Sequence, residues 1–259
     1  MKTIIIDQAR MTSTRLPGKV MKEVLSKPLL EYQIERLRRA NEADGLLIAT
    51  TTNDSDQPIV ELCERLGIAY YRGSEEDVLS RYYEAASEFG ADIVIRVTSD
   101  CPLIDPAVVD RVIKFYKDNW DNYDYVSNTL TRSYPRGMDT EVFSFKVLEE
   151  AFINAKEKPE REHVTPYLCW HPERYRLGNV SHHEDQSRHR WTVDQIEDFI
   201  LVENIIKALY PNKPHFNMED VLDILKENPE WVDLNAGVEQ KKIDLEESFS
   251  TGKGNWAIG

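Results

Sequence analysis

The chain of 259 residues is acidic, with 46 aspartates and glutamates against 32 lysines and arginines and a formal net charge of −14. Proteins that coat nucleic acid usually present a basic face, so this balance argues against nucleic acid as a partner. Hydrophobic residues make up 41% of the chain, which is typical of a globular protein with a substantial core. No apolar run approaches the roughly 20 residues that a membrane span needs, so we expect no membrane partner.

The cysteines and the first residues bear on the compartment. Cys63, Cys101 and Cys169 are odd in number and widely spaced, which is typical of free thiols in a reducing compartment rather than of a disulfide framework. The first predicted strand begins within two residues of Met1, so we expect no signal peptide. Together these features predict a cytoplasmic protein.

Strand-like and helix-like segments alternate through the first half of the chain. Apolar runs predict buried strands at 3–7, 45–49, 68–71 and 92–97. Apolar residues at helical spacing predict helices within 28–40, 59–66, 74–89 and 105–116. Short strands interleaved with helices predict an α/β fold, with a mostly parallel sheet and helices on both faces.

Two of these helices begin at recognisable caps. Ser74, with Asp77 three residues later, matches a capping box. Asp105 precedes Pro106, which is the pattern of an N-cap followed by proline at the first helical position. We therefore assign Asp105 to helix capping.

The rhythm changes between about residue 119 and residue 180. The pattern predicts strands at 123–128, 140–145 and 175–180 and helices within 147–155 and 160–170. We interpret this segment as a smaller α+β lobe that is inserted into the sheet or leans against it.

Regular structure resumes with a predicted strand at 190–193, a helix through 199–209 and a helix at 218–226. The chain is therefore predicted to form a single domain over 1–230, followed by a C-terminal tail over 231–259. Trp231, Phe249 and Trp256 predict that the tail docks onto the domain, because large aromatic side chains favour burial.

The most informative segment is 8–19, which reads QARMTSTRLPGK and carries three cations, Arg10, Arg15 and Lys19. It follows the first predicted strand, and loops at the carboxyl ends of strands bind ligands in open α/β sheets. Guanidinium and ammonium groups bind phosphate oxygens, so the loop suits a nucleoside triphosphate, with a solvated basic turn as the alternative. Neither a Walker loop nor a Gly-x-Gly-x-x-Gly turn is present, so charged side chains would hold the phosphates.

Two aspartates follow predicted strands at the same edge of the sheet, Asp100 after 92–97 and Asp194 after 190–193. Triphosphate chemistry needs a divalent cation, normally Mg²⁺, held by carboxylates and phosphate oxygens. Both aspartates are therefore candidate metal ligands. For Asp194 a helix cap with Glu197 is an alternative, whereas the cap after Asp100 is already supplied by Asp105.

Other chemistries have weaker support. The three histidines within 182–189 have no cysteine nearby, and we interpret them as part of a solvated loop rather than a zinc site. No Gly-x-Ser-x-Gly turn supports a Ser/His/Asp triad. Asp100 lies beside Cys101 and would raise the pKa of its thiol, so a nucleophilic cysteine is not expected.

The motif at 8–19 resembles the opening of the cytidylyltransferases that make CMP-activated acidic sugars, which include the CMP-Kdo and CMP-sialic acid synthetases. Within that family it is most similar to the branch called spore coat polysaccharide biosynthesis protein F. The resemblance runs from Lys2 to about Leu209. It is carried further by the segments 48–54, 72–81, 97–106, 134–141, 160–166 and 190–194.

The resemblance implies a nucleotide-diphospho-sugar-transferase-like fold, CTP as substrate, Mg²⁺ on Asp100 and Asp194, and a homodimer. It implies Lys19, Arg15 and Asp100 as catalytic residues. The expected nucleotide-binding residues are Ala9, Arg10, Ser13, Arg15, Lys19, Thr51, Arg81 and Thr98. Where CMP-Kdo synthetases have Gln-Gly-Asp, this chain has Thr98-Ser-Asp100, so the contact made by that glutamine is missing.

The implied reaction is attack of an acceptor oxygen on the α-phosphorus of CTP, with pyrophosphate leaving. An acidic acceptor needs a cation for its carboxylate, and Arg136, or Arg161 beside His163, is the candidate. Asp139 and Glu141 would orient acceptor hydroxyls or help to assemble the metal site. Solvated surface arginines are the alternative for Arg136 and Arg161.

Three other readings of the sequence stay open. The acceptor could be a phosphorylated sugar or a small acid phosphate. The chain could be a glycosyltransferase that uses a nucleotide sugar, although the Asp-x-Asp often found in those enzymes is replaced here by Ser99-Asp-Cys101. It could also be a non-catalytic nucleotide-binding protein, in which the three cations and both aspartates would have no task.

Overall fold

A computed structural model describes residues 1–239 of the chain. Residues 240–259 lie outside the described part, and the predictions for Phe249 and Trp256 fall there. In the described part no helix has the length and apolar character needed to cross a membrane.

Within residues 1–239, seven strands form one central sheet. They are β1 (Thr3–Gln8), β4 (Gly45–Thr51), β5 (Ala69–Gly73), β6 (Ile93–Thr98), β7 (Tyr125–Ser127), β8 (Glu141–Ser144) and β9 (Leu177–Asn179). Their order is β5-β4-β1-β6-β8-β7-β9, and only the pairs that involve β8 are antiparallel. The predicted mostly parallel α/β sheet is confirmed. Two short strands, β2 (Glu23–Val24) and β3 (Lys27–Pro28), form a separate antiparallel hairpin.

Helices cover both faces of this sheet. They are α1 (Leu29–Leu37), α2 (Gln57–Leu66), α3 (Val78–Glu88), α4 (Pro106–Asp118), α5 (Phe145–Asn154), α6 (Lys158–His163), α7 (Pro166–Cys169), α8 (Ile196–Leu209) and α9 (Met218–Glu227). Alternation along β1 sets the layers. Ile5 packs in a core cluster with α4, whereas Ile4 and Ile6 pack in the opposite cluster with α3 and α5.

The segment 119–180, which the sequence suggested as a lobe, adds its three strands to the central sheet. β8 pairs with β6 along a register that sets Arg96 opposite Glu141. The segment therefore shares a continuous sheet with the first half of the chain.

A third apolar cluster lies under α8 and α9 and includes Trp191, Leu201 and Leu222. Trp231 packs against it, so the start of the predicted tail is docked. The rest of the tail lies beyond the described residues.

The predicted strand at 190–193 is wrong. The segment makes a single isolated bridge between Arg136 and Arg190, and Trp191 N donates to Arg136 O at 2.7 Å. Gly137 permits this approach, since a Cβ there would lie 2.8 Å from Trp191 C and its φ is +106°. The backbone of this segment therefore forms its hydrogen bonds with a neighbouring loop rather than with a strand of the sheet.

The predicted caps have different outcomes. The N-cap of α3 is Asp77, whose carboxylate accepts from Ser80 N at 2.9 Å, so the assignment to Ser74 is wrong. Ser74 Oγ instead accepts from Asp77 N at 3.0 Å, one turn earlier. The cap by Asp105 is confirmed, because its carboxylate accepts from Ala107 N at 2.8 Å.

Candidate active site

The carboxyl ends of β1, β4 and β6 meet at one edge of the sheet, because these three strands run parallel. The cationic loop 8–19 follows β1, and the loop that carries Asp100 follows β6. Ligands bind at this edge in open α/β folds.

Four predicted side chains converge at this edge. Lys19 Nζ lies 2.8 Å from Asp100 Oδ2 and 2.8 Å from Asp194 Oδ1. Arg15 Nη2 lies 2.8 Å from the same Asp194 oxygen. The structure thus brings together two cations from the loop and two carboxylates that are far away in the sequence.

The ion pairs within this cluster determine the charge state of its side chains. Burial raises the pKa of Asp100, but the ammonium of Lys19 outweighs it and brings the pKa down to about 2. Burial lowers the pKa of Lys19, but Asp100 and Asp194 outweigh it and raise the pKa. Asp100 and Lys19 are therefore both charged at neutral pH.

Asp194 does not cap a helix, so that alternative is wrong. The N-cap of α8 is Gln195, and Asp198 completes a capping box with it. Asp198 Oδ2 accepts from Gln195 N at 3.1 Å and also from Asp194 N at 3.0 Å. Arg190 binds both acids, with Nη2 2.8 Å from Asp194 Oδ2 and Nε 2.9 Å from Asp198 Oδ1. The Asp194 carboxylate is therefore held by three cations.

The two aspartate segments are tied to each other through the main chain. Val193 N donates to Asp100 O at 2.7 Å. Thr98 Oγ1 donates to Asp100 Oδ1 at 2.6 Å, which orients the carboxylate. Thr98 therefore acts here as a support of Asp100.

The donor set fits a hard divalent cation. Two carboxylates share the Lys19 ammonium, and Mg²⁺ is usually bound by one or two carboxylates with substrate phosphates and water. Within residues 1–239, no group of three or more histidine, cysteine or acidic side chains could hold a metal. Phosphate oxygens and water would have to complete the coordination.

The fully buried Asp56 connects the cationic loop to the neighbouring strand end, and sequence reasoning missed it. Its carboxylate accepts from Met11 N at 2.8 Å and from Thr50 Oγ1 at 3.0 Å. It also accepts from Thr51 Oγ1 at 2.6 Å. Asp56 thus ties the cationic loop to the end of β4 and uses the hydroxyl of Thr51. The available signal was one acid among several in the polar run 53–56.

Other predicted nucleotide-binding residues lie along the same edge. Ala9 is buried, and its N donates to Ala49 O at 3.1 Å. Ser13 Oγ accepts from Leu16 N at 3.5 Å. Arg10 Nη1 is 3.6 Å from Glu75 Oε1 with 41% of its side chain exposed, so this guanidinium is available to a ligand.

Arg81 is more deeply buried than we would expect of a residue that contacts a phosphate directly. The residue is 1% exposed, and its Nη1 donates to Ser74 O at 2.9 Å. Burial lowers the pKa of Arg81, and nearby Arg10 lowers it further. Through its bond to Ser74 O, Arg81 holds the loop that follows β5.

Most predicted acceptor-binding residues have protein partners. Asp139 is held in a two-pronged pair by Arg132, with distances of 2.6 and 2.8 Å. Glu141 forms a buried ion pair with Arg96. Arg161 Nε donates to Asp77 at 3.1 Å. His163 is the last residue of α6.

Arg136 differs from these residues. Its guanidinium has no hydrogen-bond or ion-pair partner among the described residues, and its Nη1 is buried. Burial is the main cause that lowers the pKa of Arg136, and the positive charges of Arg132 and Arg190 lower it further. The negative charge of Asp139 acts in the opposite direction and raises this pKa. A half-buried cation without a partner is a costly arrangement that an anion would relieve.

Arg136 lines a cavity of about 250 Å³ together with Arg190, whose guanidinium also pairs with Asp194. Arg188 and His189 also line it, opposite apolar side chains of α8 and α9. Burial and the charge of Arg188 lower the pKa of His189 to about 4, so the imidazole is neutral. The polar wall of the cavity is thus rich in positive charge.

Comparison with known proteins identifies the family. The sequence model of the cytidylyltransferases matches residues 3–247. The chain belongs to the cytidylyltransferase family. The resemblance seen in the sequence is confirmed, and the protein is a nucleotidyltransferase.

Individual relatives agree with this assignment. The cytidylyltransferase is 33% identical over 237 residues to the spore coat polysaccharide biosynthesis protein SpsF of Bacillus subtilis, across 88% of this chain and 95% of SpsF. A cytidylyltransferase structure from Leptospira borgpetersenii aligns with a TM-score of 0.85 at 31% identity, over 90% of this chain and 97% of that one. CMP:2-keto-3-deoxy-manno-octonic acid synthetase complexed with CTP has the same fold, with a TM-score of 0.63 at 17% identity. The alignment covers 80% of this chain and 99% of the synthetase chain.

Proposed function

We propose that this cytidylyltransferase transfers CMP from CTP to an oxygen of an acidic sugar and releases pyrophosphate, as a step in the synthesis of a surface polysaccharide. The cluster of Arg15, Lys19, Asp100 and Asp194 carries the proposal. A synthetase of the same fold has been solved with CTP, and the similar SpsF is named for polysaccharide synthesis.

The cluster is suited to binding a metal–polyphosphate by exchange of partners. The triphosphate of CTP would draw Arg15 and Lys19 away from the carboxylates, and Asp100 and Asp194 would then hold Mg²⁺. When bound, the cation would neutralise charge on the phosphates and polarise the α-phosphoryl group. Arg15 and Lys19 would stabilise the charge that builds on the departing pyrophosphate, since phosphoryl transfer depends chiefly on positioning and electrostatics.

Arg136 supports an acidic acceptor. Its unpaired guanidinium lines the same cavity as Arg190, which pairs with Asp194. A carboxylate can accept two parallel hydrogen bonds from a guanidinium, which would neutralise this cation. Apolar side chains on the opposite wall would contact the carbon skeleton.

The test combines the four ribonucleoside triphosphates with nine-carbon, eight-carbon and phosphorylated acids and measures pyrophosphate release in the presence of Mg²⁺. We expect release with CTP and one acidic sugar, and none with the matching neutral sugar. Phosphorus NMR of the product separates a CMP-sugar from a product with a pyrophosphate bridge, which a phosphorylated acceptor would give. Absence of release from every pairing would contradict the proposal.

Arg136→Met isolates the role of the cavity. Loss of a charged hydrogen-bond pair costs about 1.5–3 kcal/mol, so the KM for the acceptor should rise at least about tenfold. The KM for CTP should not change, and Arg38→Met, at the exposed arginine that follows α1, is the control. An unchanged acceptor KM would exclude Arg136 from acceptor binding.

A second readout follows the cavity directly. Binding of an anion beside His189 favours the imidazolium, so the pKa of His189 should rise from about 4. NMR titration of the imidazole with and without the active acid measures this change. An unchanged His189 pKa would place the acceptor elsewhere.

A further inference from the structure

Gln33 is a polar residue on the buried side of α1, where Leu30, Ile34 and Leu37 are also buried. Its side chain is fully buried and reaches three groups. Nε2 donates to Asp7 Oδ2 at 3.0 Å and to Thr98 O at 2.8 Å. Oε1 accepts from Cys101 N at 2.9 Å. One amide therefore uses both of its donors and its acceptor.

Two of these bonds enclose Asp100. Thr98 and Cys101 lie on either side of Ser99 and Asp100, so Gln33 binds the main chain before and after the aspartate. Asp100 O in turn accepts from Val193 N, next to Asp194. A displacement of this loop would change the distance between the two carboxylates as well as the place of Asp100.

Asp7 on β1 sets the orientation of the Gln33 amide. Its carboxyl accepts from Nε2, which turns Oε1 towards Cys101 N, where an acceptor is needed. Burial raises the pKa of Asp7 well above its usual range, and the charge of Asp100 adds to this. This shift favours the neutral form of the Asp7 carboxyl, and that form is close in shape and charge to an asparagine amide.

We propose that Gln33 is a positioning residue, which fixes the Asp100 loop so that Asp100 and Asp194 can share one divalent cation with the substrate phosphates. The inference rests on the proposed function, because it concerns the metal-binding state of the same site. Groups that orient metal-binding side chains typically alter metal affinity by about 10–100-fold when removed. A residue that only filled space beneath the loop would affect stability and leave metal affinity unchanged.

The experiment measures Mn²⁺ binding by electron paramagnetic resonance, with and without CTP, in the full-length protein. Gln33→Met preserves the approximate length of the side chain and removes all three hydrogen bonds. The matched control is Tyr32→Phe, the neighbouring buried residue of α1, which loses one hydrogen bond to Val24 O without touching the Asp100 loop. Asp7→Asn tests whether an acceptor at residue 7 is sufficient to orient the Gln33 amide. Urea unfolding of each variant measures stability.

For Gln33→Met we expect the dissociation constant of Mn²⁺ to rise at least about tenfold in the presence of CTP. CTP affinity without metal should be unchanged, because Arg10 and the loop 8–19 are untouched. Tyr32→Phe and Asp7→Asn should bind Mn²⁺ like the wild type. Gln33→Asn, which keeps the amide but shortens it, should weaken Mn²⁺ binding in the same direction and serves if the methionine variant does not fold.

Wild-type Mn²⁺ affinity in folded Gln33→Met or Gln33→Asn would overturn the positioning role and leave the proposed function intact. Equal weakening in Tyr32→Phe would also overturn it, since the effect would then follow from lost stability. If the wild type bound no Mn²⁺ even with CTP, the proposed metal site itself would be wrong, and the inference would fall with it.

Discussion

At the scale of single residues, the cluster at the sheet edge could be predicted in part. Lys19, Asp100 and Asp194 were found because each follows a predicted strand, and the carboxyl ends of parallel strands lie together. The reasoning for Asp194 was partly wrong, since the segment before it is not a strand. It reaches the site because Val193 bonds to Asp100 and Arg190 holds its carboxylate.

Asp56 and Gln33 could not be predicted, for a different reason. Each acts through hydrogen bonds to main-chain groups that are distant in the sequence, and no local pattern records those partners. Asp56 lies two residues from Asp54, which is exposed, so composition does not separate the two acids. For Gln33 the one available signal was a polar residue on an apolar helix face.

Asp56→Asn should weaken CTP binding. The carboxylate accepts from Met11 N, Thr50 and Thr51, and an amide would place a donor against one of these donors. The loss of such a buried bond costs about 1–3 kcal/mol, so the dissociation constant should rise about fivefold or more by calorimetry. Asp54→Asn is the control. Equal affinities for the two variants would show that the loop does not depend on Asp56.

At the scale of elements, the helices and strands were largely predictable, but their partners were not. Periodicity predicted strands near β7, β8 and β9, yet it carried no information on which edge of the sheet they would join. β8 joins β6 in an antiparallel pair, and the segment 119–180 therefore completes the sheet. Trp191 is buried in a segment without regular structure, and the strand was predicted there because Trp191, Thr192 and Val193 are residue types that favour strands.

The pair of Arg96 and Glu141 connects β6 to β8 and gives a prediction at this scale. Both side chains are buried, and Tyr125 OH also donates to Glu141 at 2.8 Å. Glu141→Gln leaves the Arg96 charge buried without its counter-ion, which should destabilise the fold by about 3–5 kcal/mol. Replacing both residues, as Arg96→Met with Glu141→Leu, should cost less. Urea unfolding measures both, and a double variant less stable than Glu141→Gln would contradict this account.

At the scale of the whole molecule, fold class and family were predictable, because each depends on features spread along the chain. The acidic surplus and the cationic edge have opposite consequences for CTP. The net charge of −14 would repel a triphosphate over long distances, while Arg10, Arg15 and Lys19 would attract it at contact in the proposed site. Surface charge is screened beyond about 8–10 Å at physiological salt, whereas contacts inside the site are screened less.

The salt dependence of CTP binding separates these effects. If the cationic edge dominates, CTP affinity falls as ionic strength rises, because the attraction is weakened. An affinity that increased with salt would mean that repulsion by the whole molecule controls binding. Calorimetric titrations with CTP at several sodium chloride concentrations measure whether the affinity falls or rises with salt. Lys19→Met, which lacks one of the cationic contacts, is the control.

The central claim is that the basic loop and two distant aspartates form one site for a metal-bound triphosphate. A crystal structure of the protein with CTP and Mn²⁺, with anomalous data at the manganese edge, tests it most directly. We expect a manganese peak that contacts the carboxylates of Asp100 and Asp194, with Lys19 and Arg15 moved onto phosphate oxygens. A nucleotide bound away from the loop 8–19, or a manganese ion that touches neither aspartate, would contradict the account.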